Sequence, residues 1–145
     1  MDASLLDTRS VPARRAKPEA TATSPAMLRA LLLSGGALAV AIALVCGAPE
    51  ARLRADAELA FLLRGMAAIK ACLVAAAAGV LWWRFGHPIG RGTAAAYLLG
   101  AWLMAAATAL VWQLTLIPFA ALAFHVGGFA LLVVAYRDRD ALRKR

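Results

Sequence analysis

Four runs of apolar residues dominate this chain, and each is long enough to cross a bilayer. A hydrocarbon core about 30 Å thick needs ~20 helical residues to span it. The composition points the same way. Of 145 residues, 63% are hydrophobic, and the mean hydropathy is +0.72, whereas a soluble domain is about half apolar. The expected fold class is all-α: a polytopic integral membrane protein built as a four-transmembrane-helix bundle. The spans are expected at about 27–47, 59–83, 93–117 and 119–136, within a transmembrane domain covering 26–137.

The flanks are too short for a soluble domain. Residues 1–25 are rich in Ala, Pro, Ser and Thr and carry Arg9, Arg14, Arg15 and Lys17. Such a segment buries too little apolar surface to offset the entropy of ordering, so it reads as a disordered basic tail. It does not read as a signal peptide, because the apolar run begins only at Met27. Residues 138–145 form a second short charged tail.

Small residues recur four apart in two spans. Gly35, Ala39, Ala43 and Gly47 form a ridge in the first, and Ala101, Ala105 and Ala109 form one in the third, continued by Gln113. Ridges of this kind let helices approach closely in lipid. Pro118 is expected to break the third helix, leaving the third and fourth spans as a close antiparallel hairpin.

Topology follows from Lys and Arg. Arg9, Arg14, Arg15, Lys17 and Arg29 precede or open the first span. Arg84 and Arg91 flank the middle connection, and Arg137, Arg139, Arg143, Lys144 and Arg145 follow the fourth span. With four spans these segments share one side. Both termini are therefore expected in the cytoplasm, with the chain in a bacterial-type inner (cell) membrane. The aromatics agree: Trp82, Trp83, Tyr97 and Tyr136 fall at inner ends, and Trp112 and Phe119 near outer ends. The net charge of +8 is explained by this pattern, so nucleic acid is not an expected partner.

The second run, Ala57 to Arg84, contains Arg64 and Lys70. An ionisable residue inside a span marks a candidate site. The second helix descends from outside, so both lie toward its outer end, with Lys70 about 9 Å deeper. Gln113 lies just before Pro118, and His125 lies about 10 Å beyond it. Arg64, Lys70, Gln113 and His125 thus form a candidate polar layer in the outer leaflet, for binding a partner, a lipid or an anion. The bland reading of Arg64 is a side chain that snorkels to the headgroups; Lys70 has a harder climb. For His125 the bland reading is a buried ring bonded to Gln113 or to a backbone carbonyl.

Cofactor chemistry finds little support. A haem on His125 would have to be shared with a partner, because His87 lies on the other side. Cys72 and His125 together do not make a metal site. Cys46 and Cys72 read as packing residues, and Cys46 lacks a lipobox. There is no paired carboxylate, glycine-rich phosphate loop or HExxH motif, so an enzyme is not expected. Glu58 stands at the outer mouth of the second span, and no acid lies deeper in any span. This weakens a cation-coupled transporter and favours an anionic partner: a lipid phosphate, a quinone headgroup or an acidic side chain.

The expected function is a non-catalytic accessory or assembly subunit of a larger membrane complex. The alternative is a small-solute or anion transporter or channel acting as an oligomer. The expected partners are membrane lipids and another membrane subunit or a second copy.

Overall fold

The computed structural model describes residues 24–47 and 56–143, with side chains as far as residue 139. Most of the predicted N-terminal tail lies outside the described residues. The chain forms α1 (Pro25–Val45), α2 (Ala57–Arg84), α3 (Arg91–Trp112) and α4 (Ile117–Arg143). No strand occurs among the described residues. All four helices are long and apolar enough to cross a membrane.

Local chemistry sets several of the ends. Ser24 caps α1 by accepting the Met27 N–H at 3.3 Å, and Pro25 follows where a missing N–H is harmless. Glu58 in the first turn of α2 and Arg84 in its last turn both complement the helix dipole.

α3 is the hub. It packs most extensively on α4, then on α1, then on α2, while α1 and α2 scarcely meet. Half of the apolar window of α3 is buried, against 6% for α2. Arg29, Arg84, Arg91, Arg137 and Arg139 all lie at one end of the bundle, called here the basic end. Its core joins Leu28 and Leu32 of α1, Leu81 of α2, Phe85, and Tyr97 and Leu98 of α3. Phe85 is fully buried, with its ring edge-on to Tyr97 at 6.4 Å.

Close approach depends on glycine at two places. Gly35 of α1 lies against the Trp102 ring, which would collide with any Cβ there. The Trp102 indole N–H also donates to the Leu32 carbonyl at 3.4 Å. α3 and α4 cross at Gly100 and Gly127, where a Cβ on Gly127 would stand 2.9 Å from the Gly100 carbonyl oxygen. The ridge of small residues on α1 does face α3: Ala43 is buried, and a Cβ on Gly47 would meet the Gln113 side chain at 3.2 Å.

Two helix ends differ from the sequence expectation. α3 stops at Trp112 rather than at 117, and Pro118 lies in the first turn of α4 instead of ending α3. Continuing α3 through Pro118 would drive its ring into the Leu114 carbonyl; in a first turn proline loses no hydrogen bond. The chain reverses over Gln113–Leu116. Leu114 (φ 59°) and Leu116 (φ 49°) both take left-handed conformations, at a cost of about 1–2 kcal/mol each. The Thr115 N–H donates to the Leu110 carbonyl at 3.1 Å, and its hydroxyl donates to the Gln113 carbonyl at 3.2 Å. At the other end, α4 runs beyond Tyr136 to Arg143. Residues 138–143 are therefore helix, not tail.

Candidate functional site

Lys70 is the most unusual of the four predicted polar residues. It is half-buried on α2, and its ammonium stands 5.0 Å from the centroid of the Phe124 ring on α4. Phe124 is itself buried, packed with Met104, Ala107 and Val74. The cation is thus held against an aromatic face, an attraction that strengthens when water is excluded. Among the described residues no carboxylate pairs with it.

The other three face elsewhere. Arg64 is exposed and makes no hydrogen bond or ion pair among the described residues. His125 is exposed rather than buried, with Nδ1 2.7 Å from the Ala121 carbonyl one turn back. Its nearest ring is Phe124, its own neighbour, met edge-on at 5.9 Å. Gln113 turns toward α1: its Nε2 donates to the Leu44 carbonyl at 3.4 Å. No hydrogen bond joins any two of the four among the described residues. What the four share is an end of the bundle.

Gln113 is 5% exposed, yet its Oε1 has no partner. A buried unpaired acceptor carries a desolvation cost of about 1–3 kcal/mol. Gln113→Met, of similar shape, is expected to leave stability within about 1 kcal/mol of the parent or to raise it. Detergent-denaturation midpoints measure this. A loss of about 2 kcal/mol or more would mean that the Nε2 bond to the Leu44 carbonyl outweighs the cost of the unpaired Oε1.

A second polar cluster, not anticipated from the sequence, lies at the basic end. The Arg84 guanidinium grips Asp138 with two bonds, Nε to Oδ2 at 2.7 Å and Nη2 to Oδ1 at 3.0 Å. Both side chains are only 11% exposed. The Tyr97 hydroxyl donates to the same Oδ2 at 3.4 Å. One carboxylate thus ties together α2, α3 and α4. Beside it, the Arg29 Nε donates to the Trp82 carbonyl at 3.1 Å, and its guanidinium stacks 5.1 Å from the Trp82 ring. This second contact ties α1 to α2. The cluster escapes a sequence reading that ends the fourth helix at Tyr136, since Asp138 then falls in a tail. Carrying the helical period onward places Leu131, Val134 and Asp138 on one face.

The histidines occupy opposite ends of the fold. His87 lies tilted against Trp83 at the basic end, at 5.1 Å, while His125 bonds within its own helix. Among the described residues no three His, Cys, Asp or Glu side chains converge as metal ligands would.

These features define a class: an all-α bundle whose four apolar helices are those of a multi-pass membrane protein. A scan against protein-family models, a search of curated proteins and a search of solved structures each returned no match.

Proposed function

We propose that this chain is a non-catalytic accessory or assembly subunit of a larger membrane complex. Lys70 carries the reading. It is a half-buried cation within an apolar helix, held against Phe124 and lacking a carboxylate among the described residues. A buried charge is normally paired. An acidic side chain on a neighbouring subunit, arriving along the α2–α4 side, supplies the missing partner. The slight burial of α2 leaves that helix open to such a neighbour.

Transport by a single chain has less support. α3 fills the middle of the bundle, and the polar residues face different neighbours. The distribution of charge favours an inner membrane with both termini cytoplasmic. Arg29, Arg84, Arg91, Arg137 and Arg139 gather at one end, while Asp56 and Glu58 stand at the other.

Purification in mild detergent tests the proposal. The parent chain is expected to carry a stoichiometric partner in native mass spectra. Lys70→Ala is expected to lower its recovery about tenfold or more, as loss of one partner of a buried charge pair does. A pure homo-oligomer whose Lys70→Ala variant alters solute flux in liposomes would replace this reading with the oligomeric transporter.

A further inference from the structure

The bundle is open along one side. α1 and α2 are joined at the basic end through Arg29 and Trp82 and otherwise scarcely touch. Between them lies a groove of about 480 Å³ floored by α3. This volume falls within the range of about 300–1,000 Å³ found for small-molecule sites. Leu44 forms part of one wall; Ala67, Ala68 and Ala71 of α2 form the other; Trp112 closes the end away from the basic cluster. Thr108 reaches the floor, but its hydroxyl is spent on the Met104 carbonyl of its own helix at 2.8 Å. The surface is thus hydrocarbon with small side chains, shaped for an unbranched chain.

One charge lies a turn beyond its alanine wall. Arg64 precedes Ala67, Ala68 and Ala71 by three, four and seven residues, which puts all of them on one face of α2. Arg64 itself does not line the groove; it stands one turn beyond Ala67 and Ala68, toward the end that Trp112 occupies. Arg64 is exposed and without an ion pair among the described residues. Glu58 stands about 120° round the helix from it. Gln113 holds the Leu44 carbonyl at 3.4 Å, so the wall beside the mouth is fixed.

We infer that this groove is a binding site for an anionic phospholipid. One hydrocarbon chain lies on the alanine wall, and the headgroup phosphate pairs with Arg64. An indole at the rim, half exposed at 50%, suits the headgroup level. The inference rests on a different side chain from the assembly role, because the Lys70 ammonium turns to the Phe124 ring of α4.

The test is native mass spectrometry of the full chain, given equal amounts of palmitoyl-oleoyl phosphatidylglycerol and the matching phosphatidylcholine. The parent is expected to retain phosphatidylglycerol about fivefold over phosphatidylcholine, the factor that one arginine near the surface contributes. Arg64→Gln is expected to remove that preference, and Ala71→Leu, which fills the groove, to lower adducts of both lipids. Lys70→Gln is expected to change neither, whatever it does to a partner subunit. Far-UV circular dichroism confirms that each variant remains helical. Unchanged preference in Arg64→Gln, or unchanged retention in Ala71→Leu, would overturn the inference. So would a parent that carries no lipid and runs as a dimer that Ala71→Leu dissociates, since the groove would then hold a second copy.

Discussion

Gly127→Ala is expected to destabilise the bundle by about 2–3 kcal/mol, at the upper end of overpacking costs. The added Cβ would stand 2.9 Å from the Gly100 carbonyl oxygen and 2.9 Å from Met104 Cγ. The methionine can swing aside, but the carbonyl belongs to α3 and moves only if the two helices separate. That separation loosens the most extensive helix pair in the fold. A Cβ on Gly79 of α2 meets nothing within 4 Å. Gly79→Ala should therefore be neutral, or stabilising by up to about 1 kcal/mol through helix propensity. Titration with a denaturing detergent, followed by far-UV circular dichroism, compares the two. Equal midpoints for both variants would mean that the α3–α4 crossing does not limit stability.

Removing either partner of the Arg84–Asp138 pair is expected to cost about 3 kcal/mol. Two bonds of 2.7 and 3.0 Å are lost, and the charge that remains is still largely buried. Arg84→Gln and Asp138→Asn should each lower the denaturation midpoint, and Asp138→Asn should also loosen Tyr97. The double variant should cost less than the sum of the singles by about 1–3 kcal/mol, because the second change removes a charge already stranded by the first. Strict additivity in this cycle would assign no net stability to the pair.

The four-helix architecture was legible because the property that drives it, long apolar runs, is local and additive along the chain. Helix ends were less so. Pro118 marks a break in the sequence, but whether a proline ends one helix or begins the next depends on which N–H groups already lack partners. The answer here required a turn with two leucines in left-handed conformation, which nothing in Leu114 or Leu116 announces. The polar layer shows a different limit. Topology brought Arg64, Lys70, Gln113 and His125 toward one end, but the rotation of each helix decided their neighbours. In alanine-rich helices that rotation is set by a few contacts, such as Gly35 against Trp102 and Ala67 against Val111 and Ala120. Asp138 was hidden by a boundary placed at Tyr136, where an aromatic residue marks the membrane interface without ending the helix.

The central position of α3 carries a consequence for biogenesis. Spans leave the insertion machinery in chain order, so α1 and α2 enter the bilayer before the helix that joins them exists. Apart from the Arg29–Trp82 contact at one end, they have little to hold each other. Phe124, the ring that Lys70 meets, lies on the last helix. The contacts that hold the first half of the chain together are therefore encoded in its second half. The α3–α4 hairpin turns on a short connection, and α3 carries most of the contacts that α1 and α2 make.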